Sequence, residues 1–248
     1  MIETWLLIGV FVVALAYSMV GHGGASGYLA LIAFTTIPSA VGATTALALN
    51  VLVAGITLLV FRRAKHFDGS LAWPLLLGSV PLAFLGGKLR FESATQDLVL
   101  ALVLVYAAAA LMLKTKTPSA SGETTAPRRW VLTATGSGIG LLSGFVGVGG
   151  GIFLSPLMIL RKWAQPHTVA ALSAGFIFAN SIAGLLARPS DVLQESLGLW
   201  PLTLGGVAGA ICGSLLGANR VSSLWLRRAL GVVLLLAVAK LLQKSLGL

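Results

Sequence analysis

Gly21-His22-Gly23-Gly24-Ala25-Ser26-Gly27 and Gly147-Val148-Gly149-Gly150-Gly151 are two glycine clusters, each set directly after a long apolar stretch. A glycine in a helix interior costs about 1 kcal/mol relative to alanine. Runs of adjacent glycines therefore break the helices in which they fall. The match between the clusters extends outward: Pro38 pairs with Pro166, and Gly78 and Gly86 pair with Gly205 and Gly213, all at an offset of about 127 residues. Matches that keep their order over the whole chain are the mark of an internal duplication.

The surrounding sequence is that of an integral membrane protein. Of 248 residues, 57% are hydrophobic and only 10% are charged, against about 25% charged in soluble domains. The 17 Lys plus Arg outnumber the 7 Asp plus Glu, for a net charge of +10. These charges lie in short clusters between apolar runs, which excludes a nucleic-acid domain as the first reading and points to loops facing anionic lipid. The single cysteine, Cys212, excludes a disulfide scaffold and reads as a small packing residue.

Crossing about 30 Å of hydrocarbon takes roughly 20 apolar residues. Candidate spans lie at 5–20, 41–61, 71–87, 98–113, 130–146, 169–187, 199–217 and 224–242. Lys and Arg do not occur before Arg62, so the first span lacks the basic start of a secretory signal and is expected to be retained. Residues 114–129 are rich in Pro, Thr and Ser and carry both signs of charge, as a linker does. The expected organisation is a first transmembrane repeat at 1–113, a cytoplasmic linker at 114–129 and a second repeat at 130–248.

Charge counting bears on how the repeats are oriented. With four simple crossings per half, one side holds ten basic residues, Arg188 among them, and the other seven. If 28–37 and 154–160 each fold back as an additional short leg, Arg161, Lys162, Arg220, Arg227 and Arg228 change sides and the count becomes twelve against five. The positive-inside rule prefers the second arrangement. It implies an all-α membrane protein of two inverted repeats, each with about four spanning helices plus a glycine-broken re-entrant or half-helix segment, with both termini outside. Ten helical residues reach only about 15 Å, so each short leg is a half-helix.

The paired breaks are the candidate site. Helices starting near Ser26 and Ile152 aim unpaired N–H groups and about half a positive charge each at the breaks. Two such ends make an anion site without a buried full charge. The candidate binding residues are Gly21, His22, Gly23, Gly24, Ala25 and Ser26 in the first cluster and Gly147, Gly149, Gly150 and Gly151 in the second. The few polar residues inside the following spans join them: Thr44, Thr45 and Asn50, then Ser173 and Asn180, with Ser181 beside them. His22 is the candidate for carrying a proton with the anion; its duplicate position holds Val148. By contrast Gly205, Gly209, Gly213 and Gly217 recur every four residues and read as a helix contact ridge, as do Gly78, Gly86 and Gly87. The six tryptophans fall near span ends, as an aromatic belt requires. His66 and His167 read as interface residues.

The run Gly147-Val148-Gly149-Gly150-Gly151-Ile152-Phe153-Leu154-Ser155-Pro156 resembles the motif of the TauE/SafE sulfite exporter family of bacterial membrane proteins. The resemblance covers both halves and leaves out only the linker. The first copy differs by His22, Ala25 and Ser26. The resemblance implies a secondary transporter in the bacterial cytoplasmic membrane that moves sulfite, sulfonates and related sulfur-containing anions, generally outward, with the glycine loops lining the path. The expected partners are a small organic or inorganic anion, the lipid bilayer, a proton and a second copy of the chain; no cofactor, metal or nucleic acid is expected. Two alternatives stand beside it. A glycine-lined break also suits a passive anion channel. Gly24-Ala25-Ser26-Gly27 with His22 or His167 as base would suit an intramembrane serine protease, although the duplicate has Ile152 at the serine position.

Overall fold

The computed structural model describes residues 4–89, 93–112, 124–125 and 127–219 and three positions near the C-terminus, Leu235, Val238 and Ala239. Most of the linker, the expected span at 224–242 and both termini lie outside the described residues. Among those described, every regular element is a helix: α1 (Thr4–Ser18), α2 (Ala25–Ile32), α3 (Ser39–Arg63), α4 (Gly69–Lys88), α5 (Ser93–Met112), α6 (Arg129–Val146), α7 (Gly151–Leu160), α8 (Pro166–Leu186), α9 (Ser190–Leu197) and α10 (Leu202–Asn219). A helix closes all its backbone hydrogen bonds within itself, which is what hydrocarbon demands. Exposed Ile8, Leu77, Leu160 and Leu204 are then groups that lipid solvates.

Span count departs from the sequence expectation of eight long segments. Three described helices, α3, α4 and α8, are long and apolar enough to cross a membrane by themselves, and a fourth span arises if α9 and α10 are taken together. That pair is bent by 77°. The sequence expectation ran a single span over 199–217 and missed α9, which starts after Pro189 and buries none of its side chains. The first and fifth expected spans are helices of 15 and 18 residues that stop at the glycine clusters.

The duplication reappears in how the helices pack. α1 lies along α10 and α4 along α6, while α3 and α8 cross each other at the centre. Exchanging α1, α3 and α4 for α6, α8 and α10 maps these pairings onto one another. Along α1 and α10 the order of contacts runs the same way: Gly205, Gly209, Gly213 and Gly217 face the backbone of Leu7, Phe11, Leu15 and Met19. The α4–α6 pair is also parallel, with Gly136, Gly140 and Gly144 set on the carbonyls of Leu75, Ser79 and Ala83. Helices this close have no room for a β-carbon, so the four-residue glycine spacing is a contact ridge, as expected. In contrast, α3 and α8 run antiparallel: Leu47 lies beside Gly184, Gly55 beside Phe178 and Leu58 beside Gly175.

Among the described residues three apolar clusters hold the bundle, the smallest joining Phe61 of α3 to Ala170 and Ala171 of α8; two are larger. One joins Leu6, Val10 and Tyr17 of α1 to Tyr28, Leu49 and Val53; the other joins Leu71 and Leu75 of α4 to Leu132, Met158, Leu172 and Phe176. Cys212, expected as a packing residue, is exposed on α10. It lies next to Ile211, which is exposed too.

Candidate functional site

Each glycine cluster is a backbone turn that side chains other than hydrogen resist. Gly21 and Gly24 have φ of 80° and 97°, and Gly147, Gly149 and Gly150 have φ of 84°, 73° and 81°. This left-handed region costs an ordinary L-residue roughly 1–2 kcal/mol. α2 begins directly after Gly24 and α7 directly after Gly150, and neither start is capped by a side chain. The first-turn N–H groups and the positive dipole end of both half-helices thus face the breaks.

The two breaks are interlocked across the halves. A β-carbon at Gly21 would fall on the backbone of Ala170 in α8, and one at Gly147 would lie 3.0 Å from Cβ of Ala43 in α3. Ala43 and Ala170 are themselves related by the duplication. Deeper in, Gly23 and Gly149 press on the same two side chains. A β-carbon at Gly149 would lie 2.7 Å from Asn50 Nδ2, 2.8 Å from Ile177 Cγ2 and 3.1 Å from Ser181 Oγ; one at Gly23 would lie 2.8 Å from Asn50 Cγ and 2.9 Å from Ile177 Cγ2. The structure therefore brings Gly23, Gly149, Asn50 and Ser181 together where α3 crosses α8.

The hydrogen-bond inventory sorts the remaining candidates. Thr44 and Thr45 donate to the carbonyls of Ala40 and Val41, at 2.8 and 2.9 Å. A hydroxyl bonded back to its own helix has no second proton for an anion. Ser173 Oγ pairs with Ser155 Oγ at 2.6 Å and fastens α8 to α7. Ser26 Oγ pairs with Tyr17 Oη at 2.9 Å, and Tyr28 Oη donates to the Gly23 carbonyl at 2.8 Å. Tyr28 is fully buried, and its ring fills the space above Gly24. These two tyrosines, which shape the first break, were not singled out in the sequence.

His22 is half-buried with Nδ1 3.1 Å from the Val20 carbonyl and its ring edge-on to Tyr17. Since a carbonyl only accepts, Nδ1 carries the proton in that bond. Ser26 is bonded to Tyr17 and to neither His22 nor His167, whose ring instead stacks on His66 with centroids 4.8 Å apart. The nucleophile–base pair of a serine protease is thus not assembled at Ser26.

Several buried polar atoms have no protein partner: Oδ1 of Asn50, both amide atoms of Asn180, and the hydroxyls of Ser181, Ser18 and Ser143. Asn50 Nδ2 makes only a long 3.5 Å bond to the Val148 carbonyl. Leaving a buried polar group unsatisfied costs about 1–3 kcal/mol, so Asn50 and Ser181, which meet at Gly149, call for a polar occupant. Ser18 and Ser143 stand about one turn before the first and second break, and their carbonyls accept from Gly21 and Gly147 N–H.

Comparison with known proteins places the chain among membrane transporters. Residues 6–241 match the Sulfite exporter TauE/SafE family, and the chain belongs to that family. It is also similar to "Probable membrane transporter protein y4hK" of Sinorhizobium fredii (strain NBRC 101917 / NGR234), 34% identical over 242 residues that cover 96% of this chain and 97% of the relative. No solved structure matches the chain.

Proposed function

We propose that this protein is a secondary carrier for a small sulfur-containing oxyanion, sulfite or an organosulfonate, exporting it across the bacterial cytoplasmic membrane by alternating access. The observation that carries the reading is the contact of Gly23 and Gly149, one from each half, with the same Asn50 side chain. An anion at that point would accept from the α2 and α7 amides and from Asn50, Asn180 and Ser181 in place of water.

The opposed course of α3 and α8, which the duplication makes equivalents, supports an inverted repeat with its two-fold axis in the membrane plane. Rocking of one half against the other then opens the site to either face. In this topology both termini lie outside and the clusters around Arg62 and Arg161 lie inside. His22, at the rim of the first break, is the proposed proton-coupling group.

The test is flux of sulfite in liposomes containing the purified protein. Saturable flux that a gradient of pH accelerates supports a coupled carrier, whereas conductance far above carrier turnover would overturn it in favour of a channel. Impermeant labelling of single cysteines near residues 2 and 247 from the cell exterior tests the topology; labelling only after the cells are opened would sink the inverted arrangement.

A further inference from the structure

Ile177 of α8 is 2% exposed, and both glycine breaks close on it. A β-carbon at Gly23 would lie 2.9 Å from its Cγ2, one at Gly149 would lie 2.8 Å from the same atom, and one at Gly151 would lie 2.6 Å from its Cγ1. Asn50 of α3 is pressed by Gly23 and Gly149 in the same way. An isoleucine in an apolar span carries no signal in the sequence, and only the packing shows where this one stands.

The duplication supplies an internal control. Gly23 and Gly149 are counterparts, and at the 127-residue offset that relates Ala43 to Ala170 the counterpart of Asn50 is Ile177. Gly149 against Asn50 therefore corresponds to Gly23 against Ile177, one contact made with an amide and the other with a branched hydrocarbon. The glycine turns form on either, so their packing does not dictate the difference. Ser181, the third side chain against Gly149, stands one turn beyond Ile177 on the same helix, and its counterpart is Ala54. Asn50 and Ser181 are fully buried, and each holds an oxygen without a protein partner. The meeting point is thus chemically mixed: an amide and a hydroxyl beside a hydrocarbon branch.

We propose that Ile177 is the specificity-determining residue of the anion site, selecting a monoanion whose charged head bears an alkyl group, an alkanesulfonate, over an inorganic oxyanion of the same charge. A sulfonate sulfur carries three oxygens and one carbon. The oxygens take hydrogen bonds from Asn50, Ser181 and the α2 and α7 amides, which leaves the carbon for Ile177. Hydrogensulfite has a hydrogen or a hydroxyl where the sulfonate has carbon. It either buries less apolar surface on the isoleucine or sets on it a hydroxyl that gives up its bonds to water and gains none. The proposal rests on the anion-carrier reading.

The test titrates the full chain, purified in detergent at mildly acidic pH, with methanesulfonate and hydrogensulfite, both monoanions, and reads affinity from the melting shift. The wild-type protein is expected to bind methanesulfonate roughly tenfold more tightly, as one carbon in an apolar pocket allows. Ile177→Asn gives both halves an amide at this position and is expected to bring the two affinities within about twofold of each other. Ile177→Ala opens the apolar side and is expected to move the preference from methanesulfonate to propanesulfonate. Equal affinities in the wild-type protein, or an undiminished preference in Ile177→Asn, overturns the proposal. If the Asn variant does not fold, the Ala variant decides: an unchanged order of the two alkanesulfonates is the overturning result. Absence of any shift with either monoanion in the wild-type protein instead overturns the anion-carrier reading itself.

Discussion

Asn50 Nδ2 stands so close to Gly149 that a β-carbon on the glycine would lie 2.7 Å from it. The two residues come from different halves, 99 positions apart in the chain, and a helix crossing holds them together. A side chain at position 149 would have to push the amide away and would also strain a backbone with φ of 73°. The same amide blocks position 23, although there the backbone is ordinary.

Gly149→Val and Gly23→Val should each reduce sulfite flux at least tenfold while membrane insertion is kept. The strain at Gly149 adds about 1–2 kcal/mol of destabilisation that Gly23 does not share. Measuring flux alongside the yield of monodisperse protein separates these effects. Normal flux in both variants would move the site elsewhere.

Asn180→Leu should do two opposite things. Both amide atoms lack a protein partner although the residue is fully buried, so an apolar side chain of similar size should raise stability by about 1–3 kcal/mol in the absence of anion. Transport should fall with it. A variant that melts lower and still transports would show that the amide is structural.

Gly213→Leu places a side chain on the Leu15 carbonyl, and Gly144→Leu places one on the Ala83 carbonyl. Neither glycine touches Asn50, so the damage should be to folding: overpacking of about 1–3 kcal/mol or more, read as lost yield and a lower melting temperature. Retained stability would mean that the ridges are looser than their geometry requires.

His66 sits beyond the end of α3 with its ring stacked on His167. Burial and then the neighbouring imidazole hold its pKa below the ordinary value near 6.5, against a bond to the Ala218 backbone that raises it. The unfolded chain therefore takes up a proton more readily than the folded one. The stability this leaves is present above the ordinary histidine pKa and declines as pH falls through it. His66→Phe should flatten the drop in melting temperature between neutral and mildly acidic pH, and an undiminished drop would clear this histidine of the effect.

Much of this molecule was legible as sequence. Spans expected at 41–61, 71–87 and 169–187 became helices Ser39–Arg63, Gly69–Lys88 and Pro166–Leu186, because apolar run length is a local property that lipid reads directly. The breaks fell at the glycines for the same reason: left-handed φ is a demand that the residue itself meets. The four-residue spacing on α10 announced its contact face before its partner was known. α9 was missed because an apolar segment after residue 198 drew the span past it, although Pro189-Ser190-Asp191 is a serviceable helix start.

What the sequence by itself determined was the solvent, the helices and the two places where the helices stop. Only the tertiary structure decided which polar groups are already spent. Thr44 and Thr45 bond back to their own helix and Ser173 to Ser155, while Asn50, Asn180 and Ser181 keep unused hydrogen-bonding capacity. Burial of Arg188 beside Gly147, and the opposed course of α3 and α8, were likewise beyond composition and spacing. The reason is physical: helix formation and insertion depend on residues within one segment, whereas the satisfaction of a donor or the burial of a charge depends on partners that only long-range packing supplies.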